Sequence, residues 1–122
     1  MPRKILIIED QAIMRRNIAL MLQLEGHQAL TAAHGLEGLE TARREHPDLI
    51  LCDVMMPEMD GHAFLRSLRE DAALKHTPFI FLTAKGDRAD VREGIGLGAD
   101  AYLTKPVSRE DLLASVNSLL KT

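Results

Sequence analysis

The chain alternates short apolar runs with longer segments whose apolar residues recur at helical spacing. Five runs are strand candidates, at residues 4–8, 27–32, 48–53, 78–83 and 100–103. Three of them, 4–8, 48–53 and 78–83, are apolar on successive residues, which is typical of parallel strands covered by helices on both faces. Because a helical segment follows each run, the order is βα repeated five times. This pattern predicts an α/β fold, (βα)5, with a doubly wound five-stranded parallel sheet of order 2-1-3-4-5.

The segments between the strands predict five helices, each with an apolar stripe. The stripes are Met14, Ile18 and Leu22; Leu36, Leu39 and Ala42; Phe64, Leu65 and Leu68; Val91 and Ile95; and Leu112, Leu113, Val116, Leu119 and Leu120. Gly26 is a stop signal for the first helix, and Ser108 with Asp111 forms a capping-box pattern for the last. The fourth helix is the weakest, because glycines cost about 1 kcal/mol each relative to alanine inside a helix.

The composition supports one folded domain and excludes several classes of protein. The 122 residues are 46% hydrophobic and 27% charged, so we expect one domain over residues 1–122. A formal net charge of −3 argues against direct nucleic-acid binding. The sequence shows neither a membrane-spanning run nor a signal peptide. The single cysteine, Cys52, allows no internal disulfide; we expect it to be a buried hydrophobe in a cytoplasmic protein, and the five histidines to be solvated.

Polar residues follow the predicted strands where ligands bind in such sheets, at the carboxyl ends. Glu9 and Asp10 follow the first strand, Asp53 ends the third, Thr83 ends the fourth, and Lys105 follows the fifth. The order 2-1-3-4-5 makes the first and third strands neighbours, so the three carboxylates should meet. A magnesium ion relieves such crowding, and a lysine beside it suits a phosphoryl group. Asp53 is then a candidate nucleophile for an aspartyl phosphate.

The sequence resembles the receiver domain of two-component response regulators, the CheY-like family, which has a flavodoxin-like fold. The resemblance covers essentially the whole chain. It depends on Glu9-Asp10, on Asp53-Val-Met-Met-Pro57 with Asp60-Gly61, on Leu82-Thr-Ala84, and on the segment Gly98-Ala-Asp-Ala-Tyr-Leu-Thr-Lys-Pro106. Each motif is short, but their joint order and spacing are highly specific.

The resemblance implies that Asp53 accepts a phosphoryl group from a sensor histidine kinase, a histidine phosphotransfer protein or a small donor such as acetyl phosphate. Asp10, Asp53 and the backbone carbonyl of Met55 would bind Mg²⁺ directly, and Glu9 would act largely through water. Lys105 would neutralise one phosphoryl oxygen.

The resemblance also implies how the switch works. Thr83 would bond a phosphoryl oxygen, Tyr102 would rotate inward, and the Lys105–Pro106 peptide bond would be cis. The surface of the fourth helix, fifth strand and fifth helix would then change. A downstream effector or a missing output domain would read that surface, and a homodimer could form on phosphorylation. Such a protein catalyses only its own phosphoryl transfer and hydrolysis, so it is not an enzyme with a separate substrate.

Two positions that flank the phosphoryl group in the family are unusual here. Lys85 lies two residues after Thr83, and Met55 lies two residues after Asp53. These two residues leave the rate of dephosphorylation open, but they do not affect the prediction that Asp53 is the phosphoryl acceptor. Val107 stands where phenylalanine is common, and Glu9-Asp10 replaces the more common pair of aspartates.

Other interpretations of the same residues predict different functions. A haloacid-dehalogenase-like phosphohydrolase is disfavoured, because Met55 stands where that family has a second aspartate. A nucleotide-binding module is disfavoured because no glycine fingerprint follows the first strand. A receiver-like interaction scaffold that works without phosphorylation remains the alternative. Thr83 as a helix cap and Tyr102 as plain packing also remain open.

Overall fold

The computed structural model describes residues 3–56, 58–84, 92 and 95–120. Its strands are β1 (Lys4–Ile8), β2 (Gln28–Ala32), β3 (Leu49–Asp53), β4 (Phe79–Thr83) and β5 (Ala101–Thr104). The helices within those residues are α1 (Ala12–Leu24), α2 (Gly35–Glu45), α3 (Gly61–Glu70) and α4 (Arg109–Leu120). Of the stripe predicted between β4 and β5, Val91 lies outside the described residues, whereas Ile95 has helical backbone. Lys85 and Pro57 also lie outside them.

The five strands form one parallel sheet in the order β2-β1-β3-β4-β5, which confirms the predicted topology. β1 therefore has β2 on one side and β3 on the other. In the β1–β3 pair, Ile8 lies opposite Cys52. The next residue of each chain segment, Glu9 and Asp53, consequently lies at the same edge of the sheet. This register is what brings carboxylates from distant parts of the sequence together.

The inner strands β1, β3 and β4 are buried on both faces of the sheet, and successive strand residues point to opposite sides. Ile5, Ile7, Leu49 and Leu51 belong to one apolar cluster, and Leu6, Ile8, Ile50 and Cys52 belong to the other. Cys52 is fully buried, as predicted. Burial raises the pKa of its thiol well above the ordinary value.

Local signals that the sequence contained fix several helix ends. Gly26 follows α1 with a φ of 89°, a left-handed conformation that glycine adopts without strain. The Asp111 amide donates to Oγ of Ser108 at 3.1 Å, which caps α4 as predicted. Asp60 caps α3 by accepting from the Ala63 amide at 2.8 Å. No helix in the described part of the chain is long and apolar enough to cross a membrane.

Two expectations about individual side chains are wrong. Leu36 is 52% exposed, although it was expected in the inward stripe of α2. That helix instead buries Gly38, whose missing side chain leaves room for Ile8 and Phe64. Not all histidines are solvated either: His62 is buried, and its ring meets that of Phe81 edge-on at 5.2 Å. Both residues sit where helix geometry, and not residue type, decides exposure.

Candidate functional site

Three carboxylates converge at the carboxyl end of the sheet. Glu9 follows β1, Asp10 comes next, and Asp53 ends β3. One carboxylate oxygen from each lies within 4.8 Å of the others. Glu9 and Asp53 are buried, whereas Asp10 is exposed. The cluster predicted from the strand order is therefore present, and Asp10 lies on its solvent side.

Lys105 is the cation that faces this cluster. Its Nζ lies 2.8 Å from Oδ2 of Asp53 and 3.0 Å from Oε1 of Glu9. The segment that carries it is anchored to β4, because the Lys105 amide donates to the carbonyl oxygen of Thr83 at 2.9 Å. The Lys105–Pro106 peptide bond is cis, the isomer that the resemblance implies. One ammonium thus bridges the two buried carboxylates.

Burial and charge shift the pKa values of Glu9 and Lys105. Burial raises the pKa of Glu9, and the Asp10 and Asp53 carboxyl groups raise it further. Hydrogen bonds from the Gln11 amide and Lys105 oppose that rise only in part. Burial alone would lower the pKa of Lys105, but its bonds to Asp53 and Glu9 outweigh burial, so the net shift is upward. Lys105 is therefore charged at neutral pH.

The residues present fit a hard divalent cation. With every group ionised, the three carboxylates of Glu9, Asp10 and Asp53 face one ammonium, which leaves excess negative charge at the buried end of the cluster. Oε1 of Glu9 is fully buried, and the ammonium of Lys105 lies 3.0 Å from it. Carboxylate oxygens in this number and arrangement are ligands that Mg²⁺ accepts.

Three further predicted site residues are Thr83, Tyr102 and Met55. Thr83 is buried, and its hydroxyl donates to the Ala84 carbonyl at 3.4 Å. Tyr102 is half-buried, and its ring stacks on Phe81 with centroids 5.7 Å apart. The Met55 amide donates to Oδ1 of Asp53 at 3.3 Å. Thr83 and Met55 thus lie at or just after strand ends, whereas Tyr102 lies within β5 beside Phe81; the roles of all three stay predictions.

Sequence reasoning missed two residues that shape the site. Gly61 starts α3, and a Cβ there would overlap the carbonyl oxygen of Asp53 and lie 2.8 Å from the Phe81 ring. Arg15 in α1 donates from Nη1 to the carbonyl oxygen of Glu9 at 2.7 Å. The glycine stood in a quoted motif, and the arginine could have been noticed as a charge on the inward side of α1.

Comparison with known proteins shows the family and supports the fold. The family model described as the response regulator receiver domain matches residues 5–117. Protein PilH of Pseudomonas aeruginosa is 39% identical over 117 residues, which cover 96% of this chain and 97% of PilH. The crystal structure of chemotaxis response regulator CheY4 of Vibrio cholerae superposes with a TM-score of 0.93 at 33% identity, covering 98% of this chain and 100% of CheY4.

Other relatives are longer than this chain. The probable transcriptional regulator ycf27 of Cyanophora paradoxa is 42% identical over 119 residues, which cover 98% of this chain but only 48% of that protein. The chain therefore spans about half the length of several curated relatives and nearly the full length of PilH. The family model and the similar structure agree with the topology of the sheet. The chain belongs to the response regulator receiver domain family.

Proposed function

We propose that this receiver domain is switched by phosphorylation of Asp53, which accepts the phosphoryl group from a histidine kinase, a histidine phosphotransfer protein or a small donor. The observation that carries the proposal is the contact between Asp53 and Lys105, 2.8 Å, inside a cluster of three carboxylates. A lysine placed there neutralises charge on a phosphoryl group attached to Asp53. If Lys105 and Asp53 formed only a structural ion pair, a third carboxylate, that of Asp10, would not be needed beside them.

The transfer is a substitution at phosphorus. An oxygen of Asp53 forms the new O–P bond while the P–N bond of phosphohistidine, or the P–O bond of acetyl phosphate, breaks. The leaving group departs with the electron pair of the bond that breaks. Lys105 stands where charge gathers on the transferred oxygens, and charge stabilisation of this kind dominates phosphoryl transfer.

Glu9, Asp10, Asp53 and the Met55 carbonyl would hold Mg²⁺, which supplies further neutralisation of phosphoryl charge when bound. Support for this assignment comes from the carboxylate oxygens of Glu9, Asp10 and Asp53, which lie within 4.8 Å of one another. The ion pair of Lys105 with Glu9 keeps the ammonium in place at the edge of that set.

The switch follows from the added charge. A phosphorylated Asp53 carries more negative charge and more acceptor oxygens than a carboxylate. The Thr83 hydroxyl, which donates to the Ala84 carbonyl in this structure, turns toward the phosphoryl group. Tyr102, stacked on Phe81, then rotates inward and alters the surface formed by the predicted helix between β4 and β5, by β5 and by α4. A two-state equilibrium biased by covalent charge describes the change.

The partners follow from the same proposal. A cytoplasmic kinase or phosphotransfer protein supplies the phosphoryl group, and an effector or an attached output domain reads the altered surface. PilH matches nearly end to end, whereas ycf27 is about twice as long, so both arrangements occur among relatives. A homodimer formed on phosphorylation is a further way to transmit the signal. The domain turns over no separate substrate.

The test is the intact mass after incubation with acetyl phosphate and Mg²⁺. The wild type should gain one phosphoryl group, and Asp53→Asn should gain none. Asp60→Asn is the matched control, because Asp60 is exposed nearby and asparagine caps a helix as well as aspartate does. A wild type that gains no mass and also fails to bind beryllofluoride with Mg²⁺ would favour the phosphorylation-independent scaffold.

A further inference from the structure

Arg15 is a charged residue on the inward side of α1. It precedes Ile18, Ala19 and Leu22 by three, four and seven residues, so it lies on the face that those buried side chains share. Arg15 itself is half-buried. Its neighbour Arg16 is exposed. A long cationic side chain on an inward face often only covers apolar surface, but this one also has a defined polar partner.

That partner is the backbone of Glu9, a member of the carboxylate cluster. Nη1 of Arg15 donates to the carbonyl oxygen of Glu9 at 2.7 Å, a short charge-assisted bond. The Glu9 amide donates to the Ala32 carbonyl at 3.1 Å, and Oε2 of Glu9 accepts from the Gln11 amide at 3.0 Å. Gln11, the N-cap residue of α1, makes no side-chain cap bond. The turn between β1 and α1 is therefore held by Glu9 and Arg15 in place of an ordinary cap.

Fixing the Glu9 carbonyl also fixes Asp10. The peptide unit between Glu9 and Asp10 is planar. Fixing the direction of the Glu9 carbonyl therefore also fixes where the amide nitrogen and Cα of Asp10 lie. Asp10 is the exposed member of the cluster, and β-sheet pairing does not hold it. We propose that Arg15 is a positioning residue that holds the Glu9–Asp10 peptide so that Asp10 faces Glu9 and Asp53 for Mg²⁺ binding. This inference rests on the proposed function.

Charge and positioning predict opposite signs for the loss of Arg15. A guanidinium bonded to the main chain of Glu9 repels a cation at the neighbouring carboxylates, so its removal should tighten Mg²⁺ binding if only charge mattered. If Arg15 positions the ligands, its removal should weaken binding despite the favourable change in charge. Loss of an outer-shell partner of metal ligands weakens metal affinity about 10–100-fold. The sign of the effect therefore separates the two explanations.

The experiment measures the Mg²⁺ dissociation constant by isothermal titration calorimetry at fixed ionic strength. The proteins are the wild type, Arg15→Gln, Arg15→Lys and Arg16→Gln. Arg15→Gln should bind about tenfold more weakly. Arg16→Gln removes the same charge one residue away and should bind as tightly as the wild type or slightly more tightly. Arg15→Lys keeps the charge without the planar fork, so it should lose less affinity than Arg15→Gln.

The outcomes are distinguishable. Equal or tighter Mg²⁺ binding by Arg15→Gln, with normal binding by the wild type, overturns the role of Arg15 and leaves the proposed function intact. A wild type that binds no Mg²⁺ overturns both. Should Arg15→Gln fail to fold, Arg15→Lys carries the test: weaker binding at unchanged charge is expected, and unchanged affinity overturns the inference.

Discussion

Nζ of Lys105 lies 2.8 Å from Oδ2 of Asp53, at the carboxyl end of the central strand. The same ammonium lies 3.0 Å from Oε1 of Glu9, so it is shared by two buried acids. The metal-free site is consequently a balance in which one positive charge opposes several negative ones. Changes in that balance should alter the stability of the fold as well as its chemistry.

Replacing Lys105 by alanine should lower the free energy of unfolding by about 1–3 kcal/mol at pH 7 without metal, because two buried carboxylates lose their cation. The pKa of Lys105 is raised above its ordinary 10.5, so its contribution is fully present below pH 10.5 and is lost as pH rises through the folded value. Urea denaturation measures the change. Lys75→Ala removes an exposed lysine and should have little effect; equal losses in both variants would contradict the prediction.

Asp53→Asn should act in the opposite direction and raise the melting temperature of the metal-free protein. The variant removes one negative charge, keeps the side-chain shape, and leaves Lys105 paired with Glu9 at 3.0 Å. A gain of about 1 kcal/mol corresponds to roughly 3–5 °C for a domain of this size. Calorimetry checks it, with the exposed Glu40→Gln as the control. A lower melting temperature for Asp53→Asn would show that the bond to Lys105 outweighs carboxylate repulsion.

The fold and the charged centre of the site were predictable because both follow from strand order. Alternation of buried strands with helices leaves few topologies, and the order 2-1-3-4-5 puts the ends of β1 and β3 side by side. Glu9, Asp10 and Asp53 then meet whatever the details of packing. Their common edge is a property of topology, which the sequence pattern encodes strongly.

Details that depend on helix rotation were not predictable in the same way. Leu36 is exposed because α2 packs through Gly38, and a glycine gives no apolar signal in a sequence pattern. His62 is buried because it lies three residues before the buried Leu65 on α3. Its spacing could have indicated this, but its residue type argued for solvent. The pattern of α1 shows that Arg15 lies on the inward side, but it does not indicate the bond from Arg15 to the Glu9 carbonyl.

The raised pKa of Glu9 predicts how the free energy of unfolding depends on pH. Its pKa is raised above the ordinary 4.5 chiefly by burial, so the folded state binds the proton more tightly than the unfolded state. Stability of the metal-free wild type should therefore fall, relative to Glu9→Gln, as pH rises from 4.5 through the folded pKa. Above that value the difference should be constant. Urea denaturation from pH 4 to 8 in the presence of a chelator measures it, and a difference that is flat with pH would contradict the assignment.

Mg²⁺ should raise the melting temperature of the wild type, and Asp10→Asn should remove most of that increase. A ligand that binds only the folded state at 100 times its dissociation constant adds about 2.7 kcal/mol. Asp10→Asn also relieves repulsion, so the quantity to compare is each protein's own increase on adding Mg²⁺. Asp60→Asn, which keeps the helix cap, should respond as the wild type does. An unchanged increase in Asp10→Asn would show that Asp10 is not a ligand.

Two glycines should respond to alanine with opposite signs. A Cβ at Gly61 would overlap the Asp53 carbonyl oxygen and lie 2.9 Å from Cα of Val54, so the backbone beside Asp53 must move. Gly61→Ala should lower the free energy of unfolding by about 1–3 kcal/mol. A Cβ at Gly96 meets no atom within 4 Å, and the residue is helical, so Gly96→Ala should stabilise by about 0.5–1 kcal/mol. Urea denaturation of both variants measures these changes; a Gly61→Ala protein as stable as the wild type would mean that α3 can shift away from Asp53 without penalty.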